Sequence, residues 1–267
     1  MTTLAEPAPI SCDRPGTPVN DAAPTAVLDR LSLVLEAFAG RETLSLAEVV
    51  VRTGVPRSSA HRMLDRLVAM RWLRRQGRDY SLGIRLVELG SLAVHQDRVH
   101  SASADHLHHL YRITGMVVHL AVLDGEDIVY LDKIGGRLAA HVPTRVGGRL
   151  PAERTALGNA LLAFNGRDLP GDALVRERGF ATHRDGALRG FGCIAAPIGP
   201  VGEATTAVSI CGPLRDMAFD HRMTSPVQLA AGAIWRSLSA GVRVTPTLQR
   251  RDLLRSLPTA ASVLSEG

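Results

Sequence analysis

The chain has 267 residues, 45% apolar and 21% charged, a composition that excludes a disordered chain and leaves room for one large core or two modest ones. No apolar run reaches the roughly 18 residues that a membrane span needs. Three cysteines, Cys12, Cys193 and Cys211, are too few and scattered for a disulfide framework, which fits a reducing cytoplasm.

The first segment, residues 1–24, carries acids and five prolines without an apolar stretch, so it reads as a disordered tail and a poor signal peptide. Val27–Phe38 has apolar residues at helical spacing and stops at Gly40. Ser45-Leu46-Ala47-Glu48 is a capping box that starts a second helix, and Gly54 is a natural residue to end it. Pro56 suits the first turn of a third helix, where no amide hydrogen is needed. In that helix Ala60, Met63, Leu64 and Leu67 share one face, while Arg57, Ser58, His61, Arg62 and Asp65 point away. Two helices joined by a short turn containing glycine form a helix-turn-helix, whose second helix meets base edges with its N-terminal end.

"LRRQGRDYSL", Leu73–Leu82, reads as two strands around a turn at Gln76-Gly77, with Arg74, Arg75 and Arg78 at its tip. A basic hairpin after a recognition helix is a wing, suited to phosphate or minor-groove contact. The charge agrees. The net charge of the chain is +5, and the window Arg57–Arg78 holds seven arginines against the single acid Asp65. A basic patch confined to one small region points to a polyanion partner for that region. By charge alone, a solvated helix face remains the alternative.

Ile84 to Gly115 is helical, with a linker helix to about Val94 and a second helix from about Ser101 to Ile113. His106, His108 and His109 lie there without the Cys or acid that would complete a recognisable metal set, so surface histidines are expected and no metal. "MVVHLAVLDGEDIVYLDKIGG" is a strand pair joined at Asp124-Gly125, and "LAAHVPTRVG" suggests a third strand. "RTALGNALLAF", Arg154–Phe164, is a helix with Thr155 near its cap. "GCIAAPIG" and "TTAVSICGP" are two more strands, and "SPVQLAAGAIWRSLSAG" is a closing helix. The tail after Thr245 is loose, with "LQRRDLLRSL" able to form a short helix. The second half is thus a mixed α/β domain of a sensor-like kind. Paired carboxylates, a G-x-S-x-G elbow, a P-loop and a G-x-G-x-x-G after a strand are all missing. Cys193 with His183 is the one imaginable nucleophile and base, against the ordinary reading of Cys193 as a small buried residue.

"SSAHRMLDRLVAMRWL", "YSLGIRLVELG", "PAERTALGNALLAF" and "GCIAAPI…AVSICGPLRD" resemble the isocitrate lyase regulator (IclR) family of bacterial transcription factors over about Val27–Val242. Its most specific pieces are Arg62, Tyr80-Ser81-Leu82-Gly83 and Thr155-Ala156-Leu157-Gly158. The resemblance implies an α+β chain of two domains. These are a winged helix-turn-helix (25–83) and a GAF-like α/β effector domain (101–242), with a linker helix (84–100) between them and tails at 1–24 and 243–267. It also implies a dimer or dimer of dimers and a small organic-acid or aromatic effector. Against the family pattern, Trp72 stands where glycine is usual, Asn159 where lysine is common, His183-Arg184-Asp185 where acids are common, and Asn165–Gly192 is shorter.

The expected DNA contacts are Arg57, Ser58, Ser59, His61, Arg62 and Arg66 on the helix and Arg74, Arg75 and Arg78 on the wing. The expected partners are double-stranded operator DNA, a second copy or three further copies of the chain, and an effector carrying a carboxylate. No cofactor, catalytic residue or membrane is expected. Exposed amides at the N-terminus of the helix that Thr155 starts attract an anion, so the carboxylate is placed on Ala156 and Leu157. Cys193 and Ser209, at family pocket positions on facing strands, take the body of the ligand, and His183 or Asp185 closes the side. The alternatives are a ligand-independent regulator with a degenerate effector domain, and a small-molecule-processing α/β enzyme.

Overall fold

The computed structural model describes residues 27–185 and 188–240. The two tails, Cys12 and the "LQRRDLLRSL" segment lie outside the described residues.

The chain forms two domains. In the first, α1 (Val27–Glu36), β1 (Leu44–Ser45), α2 (Leu46–Thr53) and α3 (Arg57–Ala69) precede a hairpin of β2 (Leu73–Gln76) and β3 (Asp79–Leu82). The capping box forms: Ser45 Oγ accepts from the Glu48 amide at 3.3 Å and Glu48 Oε2 accepts from the Ser45 amide at 2.7 Å. Gly54 closes α2 at φ +67, in the left-handed region where glycine is free of strain. In the hairpin Gln76 pairs with Asp79, so the turn residues are Gly77, at φ +61, and Arg78, one position later than the sequence suggests. Val34, Phe38, Val49, Leu64, Leu67, Leu73 and Tyr80 form the buried core of this domain.

The helix α4 (Ile84–Gln96) leads to α5 (Arg98–Thr114). Asp97 ends one and caps the other, accepting from the His100 amide at 2.7 Å. This cap is why α5 begins at Arg98 rather than near Ser101. His106 meets the Ser237 hydroxyl at 3.3 Å and His109 meets Arg112 at 3.4 Å.

The second domain is built on a six-stranded antiparallel sheet of order β6-β5-β4-β9-β8-β7. Its strands are β4 (Val117–Asp124), β5 (Asp127–Ile134), β6 (Arg149–Pro151), β7 (Ala181–Arg184), β8 (Phe191–Ile198) and β9 (Thr206–Pro213). Side chains alternate across it. Val118, Leu120, Ile194, Ala196, Val208 and Ile210 face α5 and α9 (His221–Ser239), while Ala121, Ala195 and Ala207 face α7 (Ala156–Phe164). Both faces are covered, which explains the near-continuous apolar runs in β4, β8 and β9.

The segment 138–147 is not a strand. A short α6 (Gly136–Ala139) comes first, and the ammonium of Lys133 then donates to the carbonyls of Val142 (2.7 Å) and Thr144 (2.6 Å). Pro143 offers no amide to a ladder, so the pairing on that side of β5 passes to β6. The closing helix starts at His221, capped by Asp220, so Pro226 lies inside it. The short Asn165–Gly192 region holds α8 (Asp172–Arg178) and β7. Buried Asp172 accepts from Arg167 at 2.7 and 2.8 Å and from the Leu169 amide at 3.0 Å, which pins this lobe to itself. Asn159 serves the same lobe, accepting from Arg167 at 3.2 Å.

Candidate DNA interface and effector cavity

The outer face of α3 presents Arg57, Ser58, His61, Arg62, Asp65 and Arg66 to solvent, with Ser59 half-buried. Its inner face buries Ala60, Leu64 and Leu67. Asp65 ties this helix to the wing: His61 Nδ1 lies 3.2 Å from it and Arg75 Nη1 lies 3.8 Å from it. Arg75 also donates to the Gly77 carbonyl at 3.0 Å and stacks over Tyr80. Arg74 and Arg78 are exposed on the hairpin. One continuous basic face therefore runs from the start of α3 to the tip of the wing. Arg71, in the same arginine-rich window, turns instead to α4, where it shares Glu88 with Arg85. Arg71 has φ +63, so the left-handed position before the wing is Arg71 and not Trp72.

On the α7 side of the sheet a cavity opens beneath the start of that helix. Thr155, Ala156 and Leu157 line one end. Thr155 Oγ1 accepts from the Gly158 amide at 2.9 Å, which caps the helix. The amides of Ala156 and Leu157 lie in the first turn, where a helix supplies no carbonyl. The floor is the sheet. Ser209 stands directly across from His119, Cys193 across from Cys211, and His183 across from Cys193. Tyr130, Leu150 and Phe191 add apolar wall, and Val142, Pro143 and Thr144 close the opposite side.

No Asp, Glu, Lys or Arg is among these lining residues. Burial, with help from the nearby Lys133 cation, pushes the His119 imidazole down to about 3. Its Nε2 sits 2.8 Å from Thr144 Oγ1, and its ring lies 5.1 Å from that of Tyr130. Burial also lowers His183. The Cys193 thiol is raised well above its usual range by its hydrogen bond with Cys211 and by burial. An anion entering this space would meet the positive end of α7.

Six residues expected at the pocket line this one cavity: Thr155, Ala156, Leu157, His183, Cys193 and Ser209. Asp185 does not. It sits at φ +50 in the turn after β7, and its carboxylate accepts from the Gly190 amide at 2.6 Å, a role local to that turn. Sequence reasoning missed His119, Tyr130 and Thr144. A polar His119 inside the apolar run "VVHLAVL" is the mark that could have found the first of them.

The IclR helix-turn-helix domain family matches residues 27–77, and the bacterial transcriptional regulator IclR C-terminal family matches residues 91–171. The HTH-type transcriptional regulator XynR of Escherichia coli strain K12 is 29% identical over 199 residues, 64% of this chain and 79% of that protein. The regulator KdgR of Dickeya chrysanthemi is 27% identical over 233 residues, 76% of each chain. An IclR homolog from Microbacterium hydrocarbonoxydans, solved in complex with 4-hydroxybenzoate, superposes with a TM-score of 0.70. It shares 26% identity and covers 80% of this chain and 100% of its own.

Proposed function

We propose that the chain is a DNA-binding transcriptional regulator of the IclR kind whose operator affinity is set by a small aromatic carboxylate held in the cavity under α7. The observation that carries this reading is the chemistry of the lining. It is uncharged and largely apolar, with neutral imidazoles at His119 and His183 and one helix N-terminus at its end. A carboxylate sits on the amides of Ala156 and Leu157. The ring lies over Cys193 and Ser209, and a second polar group meets the neutral imidazoles. The homolog that binds 4-hydroxybenzoate supports the class of ligand, not its identity.

In this reading Arg57, Ser58, Ser59, His61, Arg62 and Arg66 approach base edges or neighbouring phosphates, and Arg74, Arg75 and Arg78 neutralise the backbone. The protein acts in the cytoplasm as a dimer or tetramer, since one winged helix reads too few base pairs to select a genomic site. The dimer surface is the apolar side of α1 and α4. Val27 and Leu28 are exposed, as are Ile84, Val87 and Leu92, and α4 buries no residue. A catalytic reading through Cys193 is disfavoured because nucleophilic thiols need a lowered pKa and this one is raised.

Calorimetric titration of the full-length protein with 4-hydroxybenzoate and a panel of aromatic carboxylates tests the ligand. Saturable one-site binding is expected. No heat and no thermal shift across the panel would leave a regulator that reads DNA without sensing this class.

A further inference from the structure

We propose that residues 142–147 form a lever that couples the cavity to the wing, with Val146 as the positioning residue at its DNA-domain end. The proposal rests on the ligand-responsive reading above and supplies its missing link. Val142, Pro143 and Thr144 are cavity wall. The next two residues, Arg145 and Val146, line a second groove. Its other walls belong to the DNA-binding half: Leu73 and Arg74 of β2, Leu82 of β3, and Ile84 and Val87 of α4. One short peptide therefore has one end in each compartment. Four peptide steps separate Val142 from Val146, roughly 14 Å at full extension.

The lever is held at several points from the cavity side. Lys133 binds the carbonyls of Val142 and Thr144. His119 binds the Thr144 hydroxyl. The Gly147 amide donates to the Tyr130 carbonyl at 2.8 Å, and the Tyr130 amide donates to Gly148 at 3.0 Å. The Gly148 amide closes a turn on the Arg145 carbonyl at 2.9 Å. His119 and Tyr130 are themselves lining residues. A molecule that displaces either of them, or that presses on Val142, moves the whole peptide, because the turn at its far end is fastened to the same strands.

At that far end the groove is only partly closed. Val146 is 50% exposed and Leu82, at the end of β3, is 50% exposed, so apolar surface remains to be gained or lost when Val146 shifts. Arg145 moves with it, in a groove that already holds Arg71, Arg74 and Arg75. A shift of the lever therefore changes both the apolar support of the wing base and the charge behind the wing. This gives the ligand different contacts in two arrangements of the DNA-binding half, as coupling between sites requires.

The test uses bulk built into the cavity in place of a ligand, in the full-length chain. Cys211→Phe presses on Val142, its neighbour in the core, and Cys193→Phe fills the space from the next strand. DNA affinity is read by fluorescence anisotropy on a fragment flanking the gene that the wild type binds. At least one folded filled variant should change the dissociation constant by about five-fold or more. Val146→Gly alone should change it by less than about two-fold, and in the Val146→Gly background the effect of filling should fall below about two-fold. Two results would overturn the lever: an effect of filling that persists undiminished in Val146→Gly, or folded, filled variants with unaltered DNA binding. Should neither filled variant fold, hydrogen exchange of the wing in the Thr144→Gly variant decides, since loosening the wall should raise exchange at Leu73–Leu82, and unchanged exchange there would refute the lever. The aromatic panel separates this from the ligand reading. If panel members bind wild type and shift its DNA affinity equally in Val146→Gly, the lever fails and the ligand reading stands. If filling acts through Val146 but no panel member binds, the lever stands and the ligand reading fails.

Discussion

Acidification should destabilise the effector domain through His119. This imidazole is 3% exposed, and burial holds it near pKa 3, against 6.5 for the free group. A histidine lowered by folding is neutral in both states above pH 6.5, so its contribution is complete there. As the pH falls below 6.5 the unfolded chain gains a proton that the folded chain refuses until about pH 3, and stability is lost across that window. At pH 5 the loss from this one group is about 2 kcal/mol. His183, also lowered by burial, acts in the same direction. The two tryptophans divide conveniently: Trp72 packs in the DNA-binding core, and Trp235 on α9 packs in the second domain. Urea denaturation of a Trp72→Phe protein, followed by Trp235 fluorescence at pH 7 and pH 5, measures the effector domain. His119→Phe should cost about 1–3 kcal/mol at pH 7, because the Thr144 hydroxyl loses its partner. It should also remove about 2 kcal/mol of the drop between pH 7 and pH 5. An equal drop in the two proteins would refute the buried neutral imidazole, and with it the uncharged cavity.

Gly158→Ala should lower effector-domain stability by roughly 1–3 kcal/mol, because a β-carbon there overlaps the backbone of Ala152; an unchanged melting temperature would contradict the close approach. Arg71→Gly relieves a left-handed backbone at the cost of an exposed ion pair with Glu88, so stability of the DNA-binding domain, read by Trp72, should hold or rise by up to about 1 kcal/mol. A clear loss would mean that the ion pair dominates. Arg74→Ala or Arg78→Ala should weaken binding to all DNA sequences alike and reduce the salt slope by about one each. Arg62→Ala should cost about 1–3 kcal/mol on the preferred site and relax its specificity. A triple Arg57→Ala, Arg62→Ala, Arg75→Ala protein that still binds its site with full affinity would remove α3 and the wing from the interface.

Much of the fold was legible because local rules and packing agree. Ser45 with Glu48, Gly54, Gly77 and Gly125 each demand one backbone geometry, and the chain adopts it. The apolar runs of β4, β8 and β9 read as buried strands because helices cover both faces. What failed depended on distant partners. The carbonyls of Val142 and Thr144 turn toward Lys133, nine and eleven residues earlier, and no local pattern in "LAAHVPTRVG" reveals it. Asp220 caps α9, so the helix starts at His221, four residues before the "SPVQLAAGAIWRSLSAG" stretch, which puts Pro226 where a helix would not ordinarily place it. The cavity was half legible. Residues at the start of α7 and on β8 and β9 could be placed from the resemblance, but His119, Tyr130 and Thr144 join them only through strand pairing and the lever. Asp185 was misplaced because a positive φ turns it into the hairpin, which the residue type alone does not show.

The most direct test of the central claim is the affinity of the full-length protein for DNA flanking its gene, measured at fixed salt with and without a saturating aromatic carboxylate, for wild type and Ala156→Trp. Bulk at Ala156, at the first turn of α7, closes the cavity and leaves α3 and the wing untouched. The account predicts a ligand-dependent change of about 5–150-fold in wild type and none in Ala156→Trp. The same ligand-dependent change in both proteins, or none in wild type with any member of the panel, would contradict it.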